Sequence, residues 1–331
     1  MPDDPTSLRF TVVVPTLGHP DRLNALLDGL ASQTLDRSRW DLVVSFDGAE
    51  PSPEIARRLD AMAATTVSNR ERRGPGAARN AAAARARGDY LAFTEDDCAP
   101  SSDWLALAGL RLKRDPGIDV LEGATLLPDG RPARRREPGE LTFLPTNLIV
   151  LRSFFERTGG YCEQYFDPER GVYFREDSDF GFTALEQGAR VAFDPALRVE
   201  HPEEHPGWLD PLRWADRYEM DPLLDRRHPA AFRERIEVAR LGPFRVRRPF
   251  VRACAGFVIA AVVALTLALL SEPGLAVWFG ALAGALLLVV WSKWRFDPRR
   301  IVLTPVVPFV LLAALLRGRR RASLVQRART P

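Results

Sequence analysis

The chain has 331 residues, with 46 Lys plus Arg against 43 Asp plus Glu, 46% apolar and 9% aromatic. That apolar and aromatic content excludes a disordered or fibrous chain. The near balance of charge averages two opposed parts: upstream of Pro243 lie 32 basic and 41 acidic residues, downstream 14 basic and 2 acidic.

From Phe10, short β-rich runs alternate with helical ones: FTVVV (10–14), DRLNALLDGLASQ, DLVVSF (41–46), PEIARRLDAMAA, TTVSN, GAARNAAAARARG and DYLAFT. This alternation predicts an α/β domain on a parallel sheet with right-handed crossovers. Polar residues gather where the strands stop, at Thr16, Asp47 and Glu95 to Asp97. Open parallel sheets bind ligands at those carboxyl ends.

The middle of the chain is less regular. VLEGATLLP precedes the loop DGRPARRREPGE, the strand-like TFLPTNLIVL, the turn GGYCEQYF and a helix predicted from Glu176 to Gln187, with Gly188 beyond its end. Arg134 to Arg136 offer a cluster for phosphates, although a charge run in a Gly and Pro loop is ordinarily solvated.

Ala253 to Leu270 carries no charge over 18 residues, and Gly274 to Ser292 none over 19. At about 1.5 Å per residue each spans roughly 27 Å, close to a bilayer core, so a transmembrane hairpin is expected over 251–292. Arg245, Arg247, Arg248 and Arg252 precede it, and Lys293, Arg295, Arg299 and Arg300 follow. These flanks predict a multi-pass cell-membrane protein with the upstream domain and both flanks cytoplasmic. Because the arginines bracket apolar runs, a membrane is the better partner than nucleic acid, and no nucleic-acid motif is found. The next run, Ile301 to Leu316, contains Pro305 and Pro308 and reads as a re-entrant or interfacial segment. Cys98, Cys162 and Cys254 show no pairing pattern, which argues a reducing compartment, and the start MPDDPTSLRF has no secretory h-region.

Two acidic groups carry the chemistry. In TEDDCAP, three consecutive carboxylates at a strand end repel one another unless a cation or solvent stabilises them. Hard oxygen ligands of this kind suit Mg²⁺ or Mn²⁺, which bridge nucleotide phosphates. In REDSDFGF, carboxylates open a helix, where the dipole stabilises them and capping alone would account for them.

In their order and spacing, VVVPTLGHPDRL, SFDG, GPGAARNAAAARARGDYLAFTEDDCAP, GGYCEQYF, REDSDFGFTALEQGARVAFDP and VEHP resemble the motifs of family 2 glycosyltransferases over about residues 8–205. The resemblance implies a GT-A, Rossmann-like nucleotide-diphospho-sugar transferase domain in 1–205. An amphipathic juxtamembrane region would follow over 206–250, then the hairpin and a basic tail over 293–331.

It also implies roles. Pro15 and Thr16 would line the nucleotide pocket, Asp47 contact the nucleoside, and Arg79 help hold the base or diphosphate. Asp96 would face the donor ribose or sugar. Asp97 and Glu95 would hold metal and diphosphate, with Glu95 standing where the family pattern begins with Asp, and His201 would approach them. Glu176 and Asp177 would face the acceptor, Asp177 as general base, since a sugar hydroxyl is a poor nucleophile near neutral pH. A metal that stabilises the departing diphosphate removes the need for a protein acid. Asn147 matches a polar position facing the acceptor.

The processive synthases' QxxRW is broken here: Asp210 precedes Arg213 and Trp214, which favours transfer of a single sugar. A helix with Trp208, Leu212 and Trp214 resting on the membrane or the core is the plainer reading of that segment. The implied partners are a nucleotide-sugar donor, a divalent cation, a membrane and, from the anchor alone, a lipid-linked or cell-envelope glycan acceptor. A sugar nucleotidyltransferase would ordinarily carry a lysine-bearing Gly-rich first loop, which PTLGHPDRL is not. A silent scaffold would not need both acidic groups.

Overall fold

All seven side chains of β1 (Phe10–Thr16) are buried, because Val12 and Val14 face one layer of helices while Val13 faces the other. A strand covered on both faces reads as an unbroken apolar run, as FTVVV does. The computed structural model describes residues 8–133, 141–203, 207–241 and 244–327, and the chain divides into units Met1–Glu204 and His205–Pro331. Arg134 to Arg136 lie outside the described residues.

In the first unit β1 is followed by α1 (Pro20–Ala31), β2 (Trp40–Asp47), α2 (Pro53–Ala61), β3 (Thr65–Asn69), α3 (Pro75–Ala83), β4 (Tyr90–Phe93), β5 (Ala99–Pro100), α4 (Trp104–Arg114), β6 (Val120–Leu126), β7 (Leu148–Leu151), α5 (Arg152–Thr158), β8 (Phe166–Asp167), β9 (Val172–Tyr173), α6 (Glu176–Glu186) and β10 (Val191–Glu200). Eight strands form one sheet in the order β3, β2, β1, β4, β7, β6, β10, β5. Leu23, Leu26, Leu27 and Leu30 of α1, with Ile55, Leu59, Trp104 and Leu112, cover one face. Phe154, Phe155 and Phe180, from α5 and α6, cover the other together with Tyr161.

The sheet is mixed, which corrects the expectation of a parallel one. Strands β3, β2, β1 and β4 run parallel, but β7 is antiparallel to both β4 and β6, and β5 is antiparallel to β10. Side chains alternate with period two in either direction, so the LIVL run says that a strand exists and not which way it runs. The same stretch hides α5, which begins directly after β7.

The second unit holds α7 (Asp210–Asp216), α8 (Asp221–Arg227), α9 (Pro229–Arg235), the antiparallel pair β11 (Val238–Leu241) and β12 (Phe244–Arg247), and then α10 (Pro249–Leu269), α11 (Pro273–Ser292) and α12 (Val307–Arg327). Tyr218, Phe250, Cys254, Val290, Val307 and Leu311 make its core. Trp214 packs edge-on against Tyr218, Phe250 and Trp294, whereas Trp208 is exposed. Helices α10 and α11 are long and apolar enough to cross a membrane. Ile259, Leu265, Leu269, Val277 and Trp278 on them are exposed.

The third apolar run becomes helical only at Val307, six residues after its start, and the helix continues through the arginines to Arg327. Pro308 falls in its first turn, where a missing N–H costs nothing. Arg317 then bonds Glu219 at 3.0 Å and also Asp216, which holds α12 against α7 and the turn that follows it.

Candidate active site

The polar residues predicted at strand ends meet at the carboxyl edge of β1, β2 and β4. Thr16 Oγ1 donates to Asp96 Oδ2 at 2.6 Å and accepts from the Gly18 N–H at 2.9 Å, linking the turns after β1 and β4. Burial raises the Asp96 pKa, and the Thr16 bond only partly opposes it. Asp47 is 4% exposed, and its two oxygens accept from the N–H groups of Arg73 (2.8 Å) and Gly74 (2.7 Å). This carboxylate therefore fixes the loop that opens α3. Gly74 has φ +89°, and a Cβ there would lie 2.6 Å from Cγ of Phe166, so the loop requires glycine.

A second meeting depends on β5. The β5–β10 ladder pairs Ala99 with Glu200, which brings His201, the next residue, beside the acidic turn that precedes Ala99. His201 Nε2 lies 3.8 Å from Asp97 Oδ1 and 3.9 Å from Glu95 Oε2. Its Nδ1 is 2.8 Å from the Pro202 carbonyl, which can only accept. The proton therefore belongs on Nδ1, and the Nε2 lone pair faces the carboxylates.

One ligand atom from each of Glu95, Asp97, Cys98 and His201 falls within 4.8 Å of the others. At roughly 2.1 Å per bond, ligands of one Mg²⁺ or Mn²⁺ stand at most about 4.2 Å apart. His201 Nε2 meets that limit to both the Glu95 and the Asp97 oxygen as they stand. Cys98 is fully buried, with its thiol pKa pushed well up by burial. It donates to Asp97 at 3.8 Å.

Arg79, 2% exposed, runs beneath this turn. Its Nη2 donates to Glu95 Oε1 at 2.9 Å, while Nη1 stands 3.7 Å from Glu176 Oε1 at the start of α6. The guanidinium also lies over the Tyr161 ring, 5.4 Å from its centroid. Burial opposes its charge, but Tyr161, Glu95 and Glu176 outweigh burial and move its pKa upward. Glu95 is itself shifted up, by burial first, against the pull of Arg79.

Glu176 is pushed up to about 7 by burial and by the neighbouring Asp177, with Arg79 opposing. Asp177 is half-buried, and its Oδ1 accepts from the Ser178 N–H at 2.6 Å. The third carboxylate of that group, Asp179, is 1% exposed and accepts from the Tyr165 hydroxyl at 2.9 Å, a packing role.

One predicted position is corrected. Asn147 does not face an open site: it is 2% exposed, its Oδ1 accepts from Trp104 Nε1 at 2.9 Å, and its amide donates to the carbonyls of Ala124 and Leu197, each at 3.0 Å. With those bonds made inside the sheet, it ties β7 to β6 and β10 and has no donor left for an acceptor sugar.

Other residues of the site escape a reading by motif. Arg22, in the first turn of α1, places Nη1 3.5 Å from Asp97 Oδ2 with its side chain 55% exposed. Asn80 holds the Tyr161 backbone from both sides, donating to its carbonyl at 2.8 Å and accepting from its N–H at 2.9 Å. The position of Asn80 beside Arg79 in GPGAARN was the available signal. Nothing local pointed to its partner 81 residues away.

Residues 11–154 match the family described as "Glycosyl transferase family 2". The chain carries a family 2 glycosyltransferase domain. Among relatives, glycosyltransferase AglE of Haloferax volcanii is 28% identical over 120 residues, 34% of this chain and 38% of that protein. The pre-mycofactocin glycosyltransferase of Mycobacterium tuberculosis is 24% identical over 220 residues, 60% of this chain and 44% of that protein. The chain thus spans about two fifths of the length of these relatives.

Two solved structures share its fold, which is GT-A. The mannosyltransferase PcManGT from Pyrobaculum calidifontis, in complex with GDP-Man and Mn²⁺, has TM-score 0.54 at 20% identity, covering 94% of this chain and 87% of its own. S. aureus TarS 1–349 in complex with UDP-GlcNAc has TM-score 0.53 at 16% identity, covering 97% and 92%.

Proposed function

We propose that the chain is an inverting, metal-assisted glycosyltransferase that moves a single sugar from a nucleotide-sugar donor to a hydroxyl of a lipid-linked or cell-envelope glycan acceptor. The observation that carries this reading is the pairing of two acidic groups across Arg79: Glu95 at 2.9 Å, beside Asp97 and His201, and Glu176 at 3.7 Å, beside Asp177. One group suits a cation and a diphosphate, the other an incoming hydroxyl.

Glu95, Asp97 and His201 Nε2 would hold Mg²⁺ or Mn²⁺, which when bound supplies charge stabilisation for the departing diphosphate. Arg22 reaches over Asp97 from the solvent side and adds positive charge where the diphosphate would lie. Thr16 and Pro15 shape the turn on which the donor rests, Asp96 faces its ribose or sugar, and Asp47 holds the Gly74 loop close to it. Asp177 takes the proton of the attacking hydroxyl. Its Oδ1 is held by Ser178, which leaves Oδ2 to act. Glu176 orients the acceptor from the buried side. The neighbours titled with GDP-Man and Mn²⁺ and with UDP-GlcNAc support the donor class.

The anchor belongs to the same proposal. Helices α10 and α11 would cross the cell membrane as a hairpin, with the basic flanks and the catalytic domain in the cytoplasm. The exposed apolar side chains along both helices support this. The acceptor class follows from that location.

The test is turnover of a nucleotide-sugar panel by the detergent-purified chain, with Mn²⁺ or with EDTA. Hydrolysis or transfer that needs the metal and disappears in Asp177→Asn is expected. No turnover with any donor, or full transfer by Asp177→Asn, sinks the reading.

A further inference from the structure

The second unit contains a cavity of about 370 Å³ between α8, α10 and α12 that no part of the transfer chemistry uses. Three guanidinium-bearing residues line it: Arg226 from α8, Arg248 just before α10, and Arg319 from α12. Two carboxylates, Asp221 and Asp225, line it as well, but Asp221 is fully buried and already paired with Arg248. Arg226 spends one nitrogen on the Ala322 carbonyl, at 3.2 Å. Arg319 is exposed at the rim. The remaining wall is apolar, with Val251 and Leu315 facing in. With Asp225 set against one of the two remaining guanidiniums, the lining keeps one excess positive charge beside its apolar wall and is amphiphilic.

Its place along the helices is the second observation. On α10 the sequence passes from basic to apolar between Arg252 and Ala253, in the helix's first turns. On α12 it passes from apolar to basic between Leu316 and Arg317. Both transitions adjoin this one cavity, since Arg248 and Val251 lie within about a turn of the first and Leu315 and Arg319 straddle the second. If α10 spans a bilayer, the cavity lies at the cytoplasmic headgroup level, where basic pockets between helices capture lipid phosphates.

We propose that this cavity is a binding site for the phosphate headgroup of an anionic membrane lipid, held as a structural lipid, with its acyl chains directed along α10 and α12. Arg319 and Arg226 supply charge to the phosphate, and Arg248, locked by Asp221, shapes the floor. The proposal rests on the reading of α10 and α11 as a membrane hairpin.

The test is native mass spectrometry of the full-length chain in mild detergent, offered phosphatidylglycerol and phosphatidylcholine. Bound phosphatidylglycerol should predominate, and Arg319→Gln and Arg226→Gln should each weaken it on the order of fivefold. Arg320→Gln, which removes the same charge from the same helix outside the cavity, should leave it unchanged. Equal retention of the two lipids, or an equal loss in Arg320→Gln, overturns the site. Inorganic phosphate that displaces the lipid at millimolar level assigns the cavity to a free anion and overturns the lipid. A chain stripped from membranes by alkaline carbonate sinks the anchor and the lipid together. A carbonate-resistant chain with no headgroup preference sinks the lipid site alone.

Discussion

Arg79 Nη2 lies 2.9 Å from Glu95 Oε1, so the middle of α3 supplies a buried positive charge to the acidic turn after β4. The same guanidinium faces Glu176 on its other side. The two carboxylates belong to opposite halves of the proposed reaction, donor and acceptor, yet they share one counter-charge. Arg79 is thus less a donor ligand, as its motif implies, than the internal support of both groups.

Arg79→Met should destabilise the fold by about 3 kcal/mol, because it leaves the buried Glu176 and the half-buried Glu95 without their counter-charge. Arg79→Lys keeps the charge but loses the fork that reaches both sides, and should fall between. Urea denaturation followed by circular dichroism reads the difference. A Met variant as stable as the parent would mean that these ion pairs contribute nothing.

Asn147→Leu separates packing from acceptor binding. It strands the Trp104 indole N–H and removes the donor to two carbonyls, each unpaired group costing roughly 1–3 kcal/mol. Thermal unfolding should drop by several degrees while the KM for donor and acceptor in the folded fraction stays unchanged. A raised acceptor KM with unaltered stability would return Asn147 to the site.

The reach of the sequence follows from this contrast. Strand ends were legible because apolar runs such as FTVVVPT and DLVVSFD stop in polar residues, and Thr16, Asp47 and Asp96 lie at those ends. The Glu176 helix was legible within one residue of its end, from its charged start and Gly188. Strand direction was not, since period-two alternation is the same both ways, and so the antiparallel run of β7 and with it the mixed sheet were missed. Asn147 was misread because its three bonds go to residues distant in sequence, and no local pattern distinguishes a satisfied amide from one aimed at a ligand. Arg22 and Tyr161 join the site only through the sheet's topology. Pro305 and Pro308 pointed to an interruption in the third apolar run, but at the first turn of a helix a proline marks a beginning.

Glu176 makes a pH-dependent contribution to stability with a fixed sign. Its folded pKa, about 7, lies above its ordinary value of 4.5, so the native state binds a proton more tightly than the unfolded chain does. The stability this supplies is complete below about pH 4.5 and is lost as pH rises through 7. Denaturation midpoints of the parent relative to Glu176→Gln should therefore fall between pH 5 and pH 8. A parent-minus-variant difference flat over that window, or rising, would contradict the buried, acid-stabilised carboxyl.

His201 gives the sharpest test of the metal reading, because its geometry commits it before any ion arrives. In the neutral imidazole Nδ1–H goes to the Pro202 carbonyl and the Nε2 lone pair faces Asp97 and Glu95, and the separations of 3.8 and 3.9 Å are longer than a hydrogen bond and fit ligands around a shared centre. His201→Ala should weaken Mn²⁺ binding, read by electron paramagnetic resonance of the ion in the presence of nucleoside diphosphate, on the order of 10- to 100-fold. His201→Gln, which keeps a polar side chain but not the imidazole, should recover little of it. Removing the ion with EDTA should abolish turnover in the parent, and added Mn²⁺ should restore it. Unchanged Mn²⁺ affinity in the Ala variant would assign the imidazole to holding the acidic turn, and would leave Glu95 and Asp97 as the protein's share of the site.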